Sequence, residues 1–238
     1  MNTQDINFGR CFSEGWAAFK DNIGIAIGAF VLYEVIHITL NYIPGLNFLY
    51  ILLGMFPLIG GFTTLFLGIV KRLDPQIATL FCGFSGDQWA RWMGLGWLVS
   101  LYFICAALIC AIPAGLLVIG AYFAFGKSSP IFVAIAAIAG LAALIAIIAI
   151  IAISIRWSFV FFLGAEGATA IEAINTSTEW TKGIRPQIFW ITLALALLGA
   201  AGIIALGIGA LFTYPLAQCC IAALYLDVKK LRTQSDQI

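Results

Sequence analysis

Glu34 and His37 are the pair of residues in this sequence best suited to proton chemistry. They are an acid and the single histidine of the chain, and both lie within an apolar stretch. A spacing of three residues places them on the same side of a helix. An ionisable side chain inside a membrane is costly, so the pair predicts a proton-coupled or substrate-binding site. The structural alternative is a hydrogen-bonded pair that joins helices, or one that lies near enough to the outer surface to stay hydrated.

The rest of the sequence offers no set of residues for a metal or a reaction. Di-metal helix bundles use Glu-x-x-His twice with two further acids, whereas this chain contains one histidine. The six cysteines lack the CxxC or Cys/His spacing of a zinc site, and we interpret them as small packing residues. GxSxG and Gly-rich phosphate-loop motifs are absent. We therefore expect no metal, no cofactor and no catalytic residue, and predict that the protein is not an enzyme.

Three basic residues form a second group of candidates, for contact with lipid or with a partner. Arg156 follows the fourth apolar stretch, where it could bind an anionic lipid headgroup or simply anchor the helix by reaching to the interface. Lys182 and Arg185 follow in a segment of mixed charge, which is typical of a solvated helix face. The acids of that segment are Glu166, Glu172 and Glu179.

The composition places the chain in a membrane. Of 238 residues, 63% are hydrophobic and 10% are charged, and the mean hydropathy is +1.05. A soluble domain is nearer half apolar and a quarter charged. The net charge of +1 provides no basic surface for nucleic acid, so the predicted partners are the lipid bilayer and a membrane protein or a second copy of the chain.

Lysine and arginine occur in short patches between the apolar stretches, and this spacing predicts the topology. Eleven of the twelve fall within residues 10–20, 71–91, 156–185 and 229–232. Cytoplasmic loops collect these residues, so each interval should be a hairpin that leaves the cytoplasm and returns. The predicted fold is all-α, a single polytopic membrane domain over residues 1–238, with six transmembrane helices and both termini cytoplasmic. The three hairpins cover about residues 22–70, 92–163 and 186–228.

Several spans carry signals of irregular structure. Pro57 should kink the second span. The third and fourth each exceed thirty apolar residues, so they must tilt, break or project from a hydrocarbon core of about 30 Å. Pro113 and Gly115 mark the expected break in the third, and the fourth is expected to continue as a helix past Arg156. Residues 207–209 form the expected last outer turn.

Three segments on the cytoplasmic side are predicted to be amphipathic helices at the membrane surface. They cover about residues 5–20, 74–90 and 165–183. In the first, Phe8, Phe12, Trp16 and Phe19 share one helical face. Each segment contains a serine, an acid and a tryptophan before a basic residue, which suggests a threefold repeat of surface helix and hairpin.

The C-terminal third of the chain resembles a known group of proteins. Its motifs are, in order, Arg156-Trp157-Ser158-Phe159, Glu172-Ala173, Ser177, Thr181-Lys182-Gly183, Gly207-Ile208-Gly209, Pro215 and Leu224-Tyr225. This order resembles bacterial membrane proteins of unknown function related to the membrane domain fused to some glycerophosphodiester phosphodiesterases. The resemblance implies a six-helix domain in a bacterial inner membrane, and it implies no chemistry.

Small loops, the absence of a catalytic set and abundant glycine and alanine together favour a non-enzymatic scaffold or accessory subunit. The alternative is a small transporter or channel that uses Glu34 and His37. A polar path past Glu34 would favour transport, and a closed apolar bundle would favour a scaffold.

Overall fold

The computed structural model describes residues 6–204 and 209–235. Within these ranges all regular structure is helical, which confirms the all-α prediction. The α-helices are α1 (Phe8–Asp21), α2 (Ile23–Tyr42), α3 (Leu46–Leu49), α4 (Met55–Val70), α5 (Gly86–Phe125), α6 (Pro130–Arg156), α7 (Val160–Ala165), α8 (Ala170–Trp180), α9 (Arg185–Ile204) and α10 (Ala210–Ser235). A π-helical turn, Tyr50–Gly54, separates α3 from α4, and a 3₁₀ helix, Ile77–Phe84, separates α4 from α5.

Six helical stretches of the described chain are long and apolar enough to cross a membrane, so this is a multi-pass membrane protein. They are Ile23–Tyr42, Leu46–Val70, Gly86–Phe125, Pro130–Ala165, Arg185–Ile203 and Ala210–Gln234. The chain divides into two compact units, Met1–Leu95 with Arg156–Ile238, and Gly96–Ile155. The single membrane domain of the sequence analysis stays a prediction.

The unit Gly96–Ile155 consists of most of α5 and α6, joined by a tight turn. The 40-residue α5 passes through Pro113 as one helix, so the expected break there does not occur. Gly126 enters the turn at φ +73°, and the Ser129 hydroxyl accepts a hydrogen bond from the Ile131 N–H at 3.2 Å. At its other end α6 stops at Arg156 instead of continuing, and a short turn leads to α7.

The second span is irregular before Pro57. The π-helical turn Tyr50–Gly54 precedes α4, and the Met55 N–H donates to the carbonyl of Tyr50. Pro57 lies in the first turn of α4, where a missing N–H is best tolerated. The predicted irregularity therefore appears as a change of helix type just ahead of the proline.

The chain reverses at the end of α4 and returns along it. Arg72 and Asp74 adopt positive φ angles of 56° and 52° in this reversal, which is uncommon for residues other than glycine. The 3₁₀ helix then packs so closely on α4 that a Cβ at Gly61 would overlap the carbonyl oxygen of Leu80. This segment was expected at the membrane surface, but glycine allows its backbone to lie directly against a spanning helix.

Helix α1 packs against α10 as well as presenting an aromatic surface. Phe19 is buried, and a Cβ at Gly15 would lie 2.7 Å from the Cα of Cys220. Phe8 and Trp16 remain 42% and 47% exposed. The four aromatic residues expected to share one face therefore differ in burial, because Gly15 and Phe19 face the packed side of α1.

The three predicted surface segments differ in local structure. The first is α1, the second contains the 3₁₀ helix, and the third contains α8. Helix α8 begins with a capping box in which Thr169 and Glu172 each bond the other's backbone. These conformations give no structural support to a threefold repeat.

Helices α9 and α10 approach each other closely at their adjoining ends. A Cβ at Gly202 would lie 2.9 Å from the carbonyl oxygen of Gly209, so both glycines permit the contact. Of the predicted outer turn, residues 207 and 208 lie outside the described ranges.

Candidate functional site

The Glu166 carboxylate joins three helices at a lysine-rich end of the spans. Its Oε1 accepts a hydrogen bond from Lys71 Nζ at 2.6 Å. Its Oε2 accepts from Lys229 Nζ and from the Tyr225 hydroxyl, each at 2.5 Å. Lys71 follows α4 and Glu166 follows α7, whereas Tyr225 and Lys229 lie one turn apart on α10. Packing of α4, α7 and α10 therefore assembles this group from distant parts of the chain.

The end of α7 fixes the backbone that carries the carboxylate. The Glu166 N–H donates to the carbonyl of Phe162 at 3.2 Å. Gly167 then takes the left-handed conformation at φ +105°, and the Ala168 N–H donates to Leu163 at 3.1 Å. Such a glycine terminates a helix and satisfies its last carbonyls, so Glu166 is held at a defined place.

Electrostatics keep Glu166 ionised. Burial opposes ionisation, but the hydrogen bonds from Lys229, Lys71 and Tyr225 outweigh it and lower the pKa of Glu166 to about 2. The side chain is only 18% exposed, so water screens these bonds incompletely. Glu166 is thus an anion at neutral pH, and it accepts hydrogen bonds from two ammonium groups and a phenol hydroxyl.

Tyr225 occupies the centre of this arrangement. It is fully buried, and its ring stacks on Phe162 at 5.2 Å and on Trp180 at 6.0 Å between centroids. Arg232 Nη2 donates to the backbone carbonyl of Trp180 at 2.8 Å, which joins the end of α8 to α10. Helices α7, α8 and α10 are thereby joined around one tyrosine.

A cleft of about 350 Å³ opens beside Glu166. It is lined by Lys71, Glu166, Leu226, Lys229, Lys230, Thr233 and Gln234. Three of these side chains are cationic and one is anionic, so the cleft carries net positive charge. Its chemistry suits an anion.

A second acid, Asp227, ties α1 to α10. It is 3% exposed and accepts a hydrogen bond from Arg10 Nε at 3.0 Å and from Cys11 Sγ at 3.5 Å. Burial and the neighbouring Asp227 carboxylate raise the pKa of the Cys11 thiol to about 12. This thiol therefore stays protonated at neutral pH and acts as a hydrogen-bond donor.

The structure places Glu34 and His37 on α2, each partly exposed. His37 Nδ1 lies 2.9 Å from the Tyr50 hydroxyl of the π-helical turn, and the Tyr33 ring stacks on the imidazole at 6.0 Å between centroids. The histidine thus links α2 to the second span. Its role as a functional pair with Glu34 stays a prediction.

An apolar cleft of about 610 Å³ borders Tyr50. It is lined by Ile36, Leu40, Leu46, Leu49, Tyr50, Leu53, Gly54, Leu58, Phe81, Phe84 and Trp89. Of these, Tyr50 and Trp89 alone carry a side-chain polar atom, and neither Glu34 nor His37 belongs to the wall. This cleft does not provide the row of polar groups that an ion or proton path needs.

The predicted basic contacts are not brought together as one site. Arg156 ends α6 with an exposed side chain, and its backbone carbonyl accepts from the Ser177 hydroxyl at 2.8 Å. Lys182 is exposed, and its carbonyl accepts from Arg232 at 2.6 Å. Arg185 begins α9, with a buried Nε that has no hydrogen-bond partner among the described residues.

Sequence reasoning missed the groups that do converge. Glu166 was interpreted as part of a solvated helix face, yet it is the most connected acid of the described chain. Only Asp227 had a usable signal, because it follows an apolar run at the end of the last span. No group of three or more His, Cys, Asp or Glu residues that could hold a metal occurs within the described ranges.

A family model described as "Protein of unknown function (DUF975)" matches residues 22–232. The chain belongs to this family. The match begins at the residue that caps α1 and includes α4, α7 and most of α10. It therefore contains the Glu166 cluster, which consists of Lys71, Glu166, Tyr225 and Lys229. A link to the phosphodiesterase membrane domain is not shown by it. No curated protein and no solved structure matches the chain.

Proposed function

We propose that this protein is a non-enzymatic scaffold or accessory subunit of the bacterial cytoplasmic membrane, with both termini in the cytoplasm. The observation that carries the proposal is the length of the exposed apolar run on α5. From residue 92 to residue 125 this helix contains an apolar run of more than thirty residues that Pro113 does not interrupt. The exposed part of this run is longer than the hydrocarbon core of a bilayer is thick.

The mismatch follows from helix geometry. Trp92 and Leu95, at the start of the run, are buried within the protein, so the exposed part covers residues 98–125. At about 1.5 Å per residue this part spans roughly 42 Å, against a hydrocarbon core of about 30 Å. A tilt of about 20°, the average for transmembrane helices, still leaves the exposed run several ångströms too long. Phe123, near the end of α5, is 82% exposed. Apolar side chains outside the hydrocarbon are stabilised by contact with protein, which supports a partner subunit or a second copy.

Site-specific photo-crosslinking in native membranes tests this proposal. We expect a photoreactive residue at Phe123 or at Tyr122 to give protein adducts of one defined mass. Trp190 provides the control, because it is 66% exposed on α9, whose 20 residues match the bilayer thickness. A tagged second copy distinguishes self-association from a different partner. Lipid adducts alone at both α5 positions would refute a scaffold role for this surface.

A small transporter or channel is the second candidate. It is supported by the intramembrane contact between His37 and Tyr50, and by the nearby acid Glu34, since ionisable groups in spans are commonly functional. In liposomes that contain the purified chain, Glu34→Gln would abolish proton-linked flux while Glu14→Gln would leave it intact. Equal flux from both variants would remove Glu34 from the mechanism.

We further propose a relation to the membrane domain of glycerophosphodiester phosphodiesterases. It is supported by the motifs from residue 156 onward, among which Ser177 bonds the carbonyl of Arg156 and Tyr225 bonds Glu166. An experimental structure of such a domain should contain the same serine-to-carbonyl bond. A different contact at that serine would argue against the relation.

A further inference from the structure

We propose that the cleft beside Glu166 binds a phosphate group. Three lysines line it, and two of them are held in place because Lys71 and Lys229 both donate to the same carboxylate. Lys230 adds a third ammonium group, which has no ion pair among the described residues. The site is a binding site additional to any scaffold role, and it does not depend on that role.

The charge balance favours an anion of one or two charges. The ionised Glu166 carboxylate offsets one of the three lysine charges, so the lining retains about two positive charges. Each ammonium has three donors, and Glu166 accepts one from Lys71 and one from Lys229, which leaves further donors free to bind. Phosphate oxygens accept such bonds strongly, because both partners are charged.

The remaining lining fits a phosphate ester. Thr233 and Gln234 provide neutral hydrogen-bonding groups, and Leu226 provides one apolar wall. The volume of about 350 Å³ lies at the small end of ligand sites, which run from about 300 to 1,000 Å³. Arg91 adds positive charge nearby, because its Nη1 lies 3.6 Å from where a Cβ of Gly167 would be. The same chemistry serves an anionic lipid headgroup or a soluble phosphate.

The position of the cleft does not decide between a lipid headgroup and a soluble phosphate, since Lys71 directly follows the second span while Lys230 is exposed. The full chain is therefore placed in phosphatidylcholine nanodiscs and titrated with inorganic phosphate. In parallel, nanodiscs that also contain phosphatidic acid are examined by native mass spectrometry for retained lipid. Phosphate binding alone assigns a soluble ligand, retention of phosphatidic acid alone assigns a headgroup, and both together assign the shared phosphate chemistry.

The decisive variant is Lys230→Gln, with Lys20→Gln as the matched control. Both lysines are exposed, but Lys20 lies in the last turn of α1 and does not line the cleft. Loss of one charge at contact distance should weaken binding about fivefold for Lys230→Gln. Lys20→Gln should bind as the unmodified chain does. The proposal would be overturned if neither inorganic phosphate nor phosphatidic acid bound, or if the two variants lost affinity equally.

Discussion

The indole Nε1 of Trp89 donates a hydrogen bond to the backbone carbonyl of Leu53 at 3.1 Å. In an α-helix this carbonyl would receive the N–H of the residue four positions later, but that residue is Pro57, which has none. Trp89 therefore supplies the donor that the proline lacks. The bond also attaches the start of α5 to the second span, at the end of a segment that has returned along α4.

We predict that Trp89→Phe destabilises the protein by about 1 kcal/mol, because it leaves the Leu53 carbonyl without this donor while the aromatic ring is kept. Thermal unfolding in detergent measures the change. Trp16→Phe is the control, since Trp16 is 47% exposed on α1. Equal effects from the two substitutions would show that the bond to Leu53 contributes nothing specific.

Gly61→Ala should prevent the 3₁₀ helix from packing on α4. The added methyl group would overlap the carbonyl oxygen of Leu80, and a backbone atom cannot move aside as a flexible side chain can. We expect a loss of roughly 3 kcal/mol or more, within the range for overpacking a closely packed site. Protease susceptibility of the chain between α4 and α5 reports the loss.

The matched substitution is Gly68→Ala, about two turns farther along α4. Its methyl group would meet Pro75 Cβ at 3.5 Å, which is an ordinary contact. This variant should be as stable as the unmodified chain or slightly more so, because alanine favours the helix. Similar susceptibility of both variants would contradict the packing described for Gly61.

Glu166→Gln should destabilise the protein at neutral pH by about 2 kcal/mol, because it weakens bonds to two ammonium groups. The pKa of Glu166 is lowered from its ordinary value of 4.5 to about 2. A lowered pKa in the folded state means that the contribution is full above about pH 4.5 and is lost as the pH falls toward 2. The stability difference between the variant and the unmodified chain should therefore shrink across that window.

Unfolding temperatures of both proteins, recorded from pH 7 to pH 3 in one detergent, measure this convergence. Glu14→Gln controls for loss of a negative charge, because Glu14 lies exposed on α1 and outside the cluster. A stability difference that stays constant with pH would show that the Glu166 charge is not what stabilises the cluster.

The Cys11 thiol should react with maleimide at least about tenfold more slowly than a cysteine placed at the exposed position Glu14. Its pKa is raised to about 12 by burial and by Asp227, so very little reactive thiolate forms near neutral pH. Peptide-level mass spectrometry separates the labelled sites. Asp227→Asn should speed labelling of Cys11, whereas Asp21→Asn, on an exposed residue, should leave it unchanged. Rapid labelling of Cys11 in the unmodified chain would contradict its burial against α10.

The membrane-spanning helices could be predicted from the sequence because their cause is local. An apolar run of about twenty residues must form a helix in a bilayer, since each backbone polar group needs a partner within the segment. The segment near Pro57 was also recognised as irregular, because proline lacks the N–H that helix continuity requires. The break predicted at Pro113 does not occur, because one missing N–H within a long helix does not oblige the helix to stop.

Only tertiary packing determined which charged and polar groups contact one another. Glu166 meets Lys71 and Lys229 across 95 and 63 residues, and no feature near Glu166 in the sequence distinguishes it from the acids that stay exposed. The 3₁₀ segment likewise carries an amphipathic pattern that a surface helix would share. Hydropathy and periodicity indicate which side chains of each segment are buried. Which groups then meet is determined by the close approach of Gly61 to Leu80 and by the left-handed Gly167 that follows α7.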